Sequence, residues 1–405
     1  RVCYVFLNPC LHYCLRSVGW CCVLSQRFVL AGVVVVVLLV LGVIGYMMVR
    51  PTPTPTTPTP VETTPTAPQT PPSIPKVIRI GTDPVGSISY KMGAYLSDIF
   101  NRHLGRDLGI NFYSMPFPAG GNLKALVIGD IEFAEPTDLE LLDLYTYGGT
   151  FGIIKISPDE VKKLPVQTFW DFSLTSFLLV KKEDAGKYRC WRDLAGKPVF
   201  LTPIGFGTHL SMLRALRALG INVTHVEISL TAVGDAFERG SIVATAAYVT
   251  GVKAAPSWLL ELDVKMDLAP VNLCPDEVEK LEKAGIIVVK KDAAEFFKRN
   301  AGMGEIVGTQ YFHGFHAAVD VPEDLVYLML KILENTSKDY ERVAAEFAEI
   351  AQDFVGLQLK GLKSALSMGI PVHPGLAKFL KEKGVWDPQW DKYIARSLKP
   401  QRITG

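Results

Sequence analysis

The stretch Val199–Ile221, VFLTPIGFGTHLSMLRALRALGI, reads as a strand, a glycine turn and a helix in immediate succession. Val199 to Leu201 form an apolar run that predicts a strand end. Gly205 and Gly207 follow, then Thr208, a residue type that caps helices by accepting a first-turn N–H. Leu210, Leu213, Leu216 and Leu219 then recur at helical spacing, and Gly220 stands where a left-handed helix stop is expected. A strand feeding a helix through a tight turn is the unit of a parallel α/β sheet.

The same alternation extends to both sides. Toward the N-terminus, KVIRIGTD (76–83), INFYSM (110–115) and IEFAEPT (131–137) predict strands. Between them, Ser89 is expected to cap a helix with Met92, Tyr95, Leu96, Ile99 and Phe100 on one face, closed by Gly105. Asn122 is expected to cap a shorter one carrying Leu123, Leu126 and Val127. Toward the C-terminus, the β-rich run FSLTSFLLVKKE (172–183) opens a second unit. It continues with GKPVFLTP, NVTHVEIS and SIVATAAYV as strands and AVGDAFERG as a helix. GTQYFHGFHAAV (308–319) reads as a strand crossing back, followed by helices over about 322–335 and 338–366 that return to the first unit. At 405 residues the chain is too long for one ordinary core, in keeping with two lobes.

Three strand–helix junctions share one device: GSISY (86–90), AGGN (119–122) and GFGT (205–208). In each, glycine precedes a small hydrogen-bonding residue at a helix start. Glycine admits a ligand close to the backbone, and the first-turn N–H groups with the helix dipole attract a carboxylate or phosphate without Lys or Arg. In parallel sheets such turns lie at the carboxyl ends of strands, where ligands bind. Enzyme readings of the same turns fare poorly. No Lys follows Gly207, as a P-loop requires, and Leu210 occupies the place of the third glycine of a dinucleotide fingerprint. No Gly-x-Ser-x-Gly elbow is present. His313 and His316, three apart in a predicted strand, face opposite ways and read as packed histidines rather than a metal pair. His209, beside Thr208, is placed to touch a ligand, and Asp83 reads as a turn residue at the end of the first strand. No catalytic residue, metal or cofactor is expected. Lys+Arg total 42 and Asp+Glu 41, a balance that argues against a nucleic-acid surface.

The first fifth of the chain is different. FVLAGVVVVVLLVLGVIGYMMV (28–49) carries no charge and is long enough to cross a bilayer. Arg1, Arg16 and Arg27 precede it, which places the N-terminus in the cytoplasm and the remainder outside. The chain begins with Arg1 rather than Met, so a fragment or misplaced start is expected there. PTPTPTTPTPVETTPTAPQTPPSIP (51–75) is an extended, semi-rigid stalk. Two sequons, beginning at Asn222 and Asn335, are compatible with an outside location. Five cysteines precede the apolar run and two, Cys190 and Cys274, follow it; the latter could form one disulfide, though ordinary cysteine burial favours two unpaired thiols.

From Val77 to Trp386 the chain resembles the TAXI-type solute receptors of tripartite ATP-independent periplasmic (TRAP) transporters. The resemblance lies in GSISYKMG (86–93), AGGN, IGDIEFA (128–134), DLAGK (193–197) followed by GFGT, AFERGSIVATAAYVTGVKAAP (236–256) and IPVHPGLAKFLKEKG (370–384). Ser89, Lys91, Asn122, Ala125 and Phe206 depart from the family pattern around the expected ligand. The resemblance implies an α/β, two-lobed periplasmic-binding-protein-like fold behind an N-terminal transmembrane helix. It implies a cleft for a small organic anion, an amino acid or carboxylate, and a TRAP-type membrane permease as partner. The alternatives are the binding domain of an ATP-driven importer or sensor and, behind it, an anchored α/β enzyme that binds a phosphorylated substrate at the same turns. The expected organisation is a cytoplasmic segment (1–27), an anchor (28–49) and a stalk (50–75). Lobe 1 (76–180), lobe 2 (181–308) and a crossover strand with C-terminal helices (309–405) follow. The expected ligand contacts are Ser87, Ser89, Tyr90, Gly121 and Asn122 from lobe 1, and Phe206, Gly207, Thr208, His209, Tyr248 and Thr250 from lobe 2.

Overall fold

A computed structural model describes residues 75–397, apart from 86, 119, 147, 149–151, 153–156 and 158. The predicted anchor and stalk lie outside the described residues, and among these no helix is long and apolar enough to cross a membrane.

Ten strands form one hydrogen-bonded sheet. They are β1 (Val77–Thr82), β2 (Asn111–Pro116), β3 (Phe133–Ala134), β4 (Pro165–Lys181), β5 (Pro198–Phe200), β6 (Thr224–His225), β7 (Ala244–Thr250), β8 (Leu268–Val271), β9 (Ile287–Asp292) and β10 (Glu305–Ala318). The order is β2-β1-β3-β10-β4-β7-β5-β6, with β8 on β4 and β9 on β10. Two strands are far longer than the rest. β4 and β10 lie side by side, antiparallel from Pro165/Ala318 to Ser176/Thr309. One end of this pair continues through β3 into the parallel set β3-β1-β2, which makes lobe 1. At the other end β4 takes up β7 from Leu174 onward, and β7 continues in parallel to β5 and β6, which makes lobe 2. The chain therefore passes between lobes within β4 and returns within β10.

The apolar run FLLV (177–180) follows from this position. Phe177 and Leu179 enter one apolar cluster, with Phe200, Phe237 and Val249. Leu178 and Val180 enter another on the opposite face, with Val199, Met212 and Leu216. A strand covered on both faces has no polar side to present. Lobe 1 has its own core, which includes Ile80, Leu96, Phe112, Leu126 and Phe133.

The helices that position the cavity are α1 (Ile88–Phe100), α2 (Gly121–Val127), α3 (Asp138–Tyr145) and α4 (Gly207–Leu219). Three details differ from the sequence reading. Ser87, not Ser89, is the N-cap of α1, its Oγ accepting from the Tyr90 N–H at 3.0 Å. That helix runs past Gly105 through a π turn and stops at Gly109 in the left-handed conformation. α2 and α4 start two residues earlier than expected, with Gly120 and Phe206 as N-caps, so Asn122 and Thr208 sit inside the first turn. The C-terminal region is helical as expected over Glu323–Asn335, but the following segment is broken. Asp353 ends one short helix and caps α5 (Phe354–Ser367). α5 packs against β4 so closely that a Cβ on Gly361 would lie 2.4 Å from the Trp170 ring.

Cys190 and Cys274 are joined by a disulfide within lobe 2, against the expectation of two free thiols. Each residue stands at the start of a helical turn, and the fold brings those two starts together.

Candidate functional site

A cavity of about 220 Å³ lies between the lobes. It is smaller than the range of roughly 300–1,000 Å³ usual for drug-sized ligands and suits a small solute. A second void, of about 10 Å³ among Ile80, Phe133 and Phe315, is a packing gap in the core of lobe 1.

The carboxyl ends of the strands meet helix starts here. From lobe 1 come Asp83 after β1, then Ser87 and Ser89 at the start of α1, and Gly120 and Asn122 at the start of α2. Glu135 after β3 and Thr137 and Glu140 at the start of α3 complete that side. From lobe 2 come Gly205, Phe206, Gly207 and Thr208 before and within α4, with Tyr248 and Thr250 at the end of β7. The crossing strands supply Phe172 and Leu174 from β4 and Tyr311 and His313 from β10. The N-terminal ends of α1, α3 and α4, each with first-turn N–H groups that have no partner within the helix, thus converge on one space.

Among the sequence-predicted residues, Ser87, Ser89, Asn122, Phe206, Gly207, Thr208, Tyr248 and Thr250 line the cavity. Tyr90, Gly121 and His209 do not. Tyr90 follows the cap of α1 by three residues, and its backbone N–H is taken by Ser87 Oγ. Gly120 rather than Gly121 is the wall residue of the second turn, in the left-handed conformation at φ 72°. His209 turns inward: its Nδ1 lies 3.0 Å from the Thr202 carbonyl, its ring meets His225 edge-on at 4.8 Å, and burial pushes its pKa below the usual imidazole value.

Several wall residues were not expected. Thr137 and Glu140 form a capping box. Thr137 Oγ1 accepts from the Glu140 N–H at 3.2 Å, and Glu140 Oε2 accepts from the Thr137 N–H at 2.7 Å. The signal is present as Thr-x-x-Glu, but it is masked by the strand reading of IEFAEPT. Tyr311 Oη lies 2.8 Å from Thr208 Oγ1, which ties α4 to the crossing strand. The least foreseeable feature is a charge chain. His313 Nδ1 lies 2.8 Å from Asp171 Oδ1, its Nε2 is ion-paired with Glu135 Oε1, and its ring stacks on Phe172 at 4.5 Å. Burial alone would lower the His313 pKa, but Asp171 and Glu135 hold it well above the usual imidazole range. Burial pushes the Glu135 carboxyl up to about 8, against the lowering influence of His313. Burial also raises Asp83, with His313 opposing, and Glu140, with the Thr137 hydrogen bonds opposing. His316 points away, its Nδ1 accepting from the Thr168 N–H at 3.0 Å in the core. The acidic and basic residues of the described wall are therefore Asp83, Glu135, Glu140 and His313, and no Lys or Arg is among the residues that line it.

Two α/β lobes joined by a pair of crossing strands, with helix starts facing a cavity between them, define a periplasmic-binding-protein-like fold. The chain belongs to the NMT1-like family, whose profile matches residues 80–384. This is a coarser placement than the TAXI type that the motifs resemble. In shape the chain is similar to the periplasmic aliphatic sulphonate binding protein SsuA of Escherichia coli (16% identity, 79% of this chain and 97% of that one, TM-score 0.41). It is also similar to a putative sulfonate ABC transporter periplasmic sulfonate-binding protein, SsuA, of Methylobacillus flagellatus KT (15%, 77% and 96%, TM-score 0.42). A third likeness is to the probable amino-acid ABC transporter extracellular-binding protein ytmK of Bacillus subtilis (11%, 67% and 97%, TM-score 0.37).

Proposed function

We propose that the protein is a membrane-anchored extracytoplasmic receptor. It captures a small carboxylate-bearing organic solute between its lobes and delivers it to a membrane transporter. One observation carries this reading: the N-termini of α1 in lobe 1 and α4 in lobe 2 face a single cavity of about 220 Å³. Helix starts from separate lobes can hold the same carboxylate only when the lobes are together, so binding favours closure. Ser87, Ser89, Gly207 and Thr208 are the proposed carboxylate contacts, and Phe206, Tyr248 and Thr250 wall the space. Tyr90, Gly121 and His209 are left out of the contact set.

The anchor is residues 28–49, with the binding domain outside the cell membrane. As partner, an ATP-driven importer comes first. The TRAP-type permease was implied by the TAXI resemblance, and the family match to the NMT1-like group does not extend to that type. Gene neighbours separate the two: an ATPase beside the gene supports the importer, a large multi-spanning permease the other.

The test is a thermal-shift screen of the full chain in detergent against amino acids, dicarboxylates, keto acids and sugars. Mass action predicts about 2.7 kcal/mol of stabilisation at a ligand concentration 100 times Kd. Response to sugars and to no acid refutes the carboxylate site. Protease accessibility of the domain on intact cells checks its location.

A further inference from the structure

The C-terminal stretch is out of step with the charge of the chain. The whole chain carries 42 Lys+Arg against 41 Asp+Glu, yet residues 360–405 hold nine Lys or Arg and three Asp or Glu. The structure gathers part of this excess at one place. Parallel bridges Gln167–Val372 and Val372–Ile394 continue the lobe 1 sheet beyond β4. Two hollows, of about 480 and 300 Å³, lie along this edge and share Lys392 and Tyr393. No residue that lines the cavity between the lobes lines either of them. Lys363 of α5, Lys392 and Arg396 are their charged lining, all three exposed, and no Asp or Glu is among the described residues that line them. Lys363 Nζ stands 6.0 Å from the centre of the Trp390 ring and Lys392 Nζ 5.0 Å from that of the Tyr393 ring, contacts that leave the ammonium protons free to donate. Asp391, next to Lys392 in the chain, is held instead by Lys381 at 2.8 Å and by Trp386 Nε1 at 3.0 Å.

We propose that this edge of lobe 1 is a docking surface for anionic phospholipid headgroups, which lays the tethered domain on the membrane in one orientation. The proposal rests on the reading of residues 28–49 as an anchor and is independent of the solute. Three features favour a lipid surface as the occupant. The cations are set along two hollows rather than around one, so a bilayer, which presents many phosphates side by side, meets all of them at once. Trp390 and Tyr393, half-buried beside the cations, are the amphipathic ring types that sit at headgroup level. The stalk, at about 3.1 Å per residue over 50–75, keeps the domain within about 80 Å of the bilayer, so a weak surface attraction acts at high effective concentration. Each cation beside an anionic surface strengthens binding about fivefold, and three together about 100-fold.

The test is lysine footprinting of the full chain in lipid nanodiscs, made of phosphatidylcholine alone or with phosphatidylglycerol as a minor component. Acetylation at each lysine is read by mass spectrometry. Labelling of Lys363 and Lys392 is expected to fall about threefold or more in the anionic discs only, and to return at about 1 M sodium chloride, where screening acts within about 3 Å. Lys187, exposed on lobe 2, should label equally in both discs. In Lys392→Gln with Arg396→Gln the protection of Lys363 should be lost, with the melting temperature in detergent unchanged. Equal labelling of Lys363 and Lys392 in the two discs overturns the proposal, as does protection that survives the salt or the double variant. The same protection produced by inorganic phosphate in phosphatidylcholine discs marks a site for a free anion and overturns lipid docking. A chain that does not enter the discs overturns the anchor reading by itself. Flotation with added vesicles then decides the groove: flotation with phosphatidylglycerol vesicles and not with phosphatidylcholine ones, abolished in the double variant, supports it, and any other pattern overturns it.

Discussion

Gly207 is a point of close approach between the two lobes at the cavity. It is the first residue of α4, and a Cβ placed on it would lie 2.9 Å from Thr137 Cγ2 of lobe 1 and 2.9 Å from the Tyr311 ring. Its φ is not positive, so alanine fits the backbone and slightly favours the helix. One clash is therefore between lobes, at Thr137, and the other is with the crossing strand, at Tyr311. Ordinary contacts begin near 3.4 Å, so Gly207→Ala requires the α4 start to retreat from Thr137 by about 0.5 Å or more at the point where the solute is gripped. Overpacking of this kind costs about 1–3 kcal/mol. Charged to closure, that weakens binding about 5- to 150-fold. Calorimetric titration with the best binder from the thermal screen measures it, alongside the melting temperature of the unliganded protein. We expect the affinity to fall while the unliganded melting temperature stays within a degree or two. An unchanged affinity would show that α4 and α3 do not close on the solute together, and the two-lobe grip would be refuted.

Other outcomes follow from the same structure. Raised Glu135, with its window from 4.5 to about 8, and raised His313, above 6.5, keep protons in the folded chain that the unfolded chain has lost. Both therefore make stability fall as pH rises. His373, lowered to about 4, acts in the opposite sense only below 6.5, as does His316. The unliganded protein should thus lose stability between pH 6.5 and 8 in denaturant titrations, and Glu135→Gln should make that slope shallower. Removing the Cys190–Cys274 disulfide, which spans 84 residues, by Cys190→Ala with Cys274→Ala should cost about 4–5 kcal/mol, read as a lower denaturation midpoint with little effect on solute affinity. Gly361→Ala drives a methyl group into the Trp170 ring and should destabilise the fold by about 1–3 kcal/mol, visible as a reduced melting temperature.

The sequence was legible where chemistry is local. The strand–glycine–helix junction at Val199–Leu219 carries its own punctuation, and the residues it singles out, Phe206, Gly207 and Thr208, line the cavity. Cap positions were offset because Ser87 and Ser89, or Gly120 and Asn122, are alternative starts two residues apart. Ser89 serves instead as acceptor for the Asp83 N–H at 3.0 Å. The start of α3 was hidden by Pro136, which reads as the end of a strand while Thr137 and Glu140 build a helix cap. Glu135 and His313 lay beyond sequence reasoning altogether. They are far apart in the chain and meet only because β10 returns beside β3, a neighbour relation that no local pattern encodes. The sign of the wall was missed for the same reason: its acidic members come from the ends of strands, one residue at a time.

The crossing pair of β4 and β10 has a mechanical corollary. Two adjacent antiparallel strands form a strap that is stiff in its own plane, because shear would break the ladder from Pro165/Ala318 to Ser176/Thr309. It is compliant only to flexing across its face. Its softest points are the register shifts at His313/Gly314 and Phe315/Ala317. In the proposed receptor, flexing across this strap would part the lobes along one edge, as a book opens at its spine, without sliding them past each other.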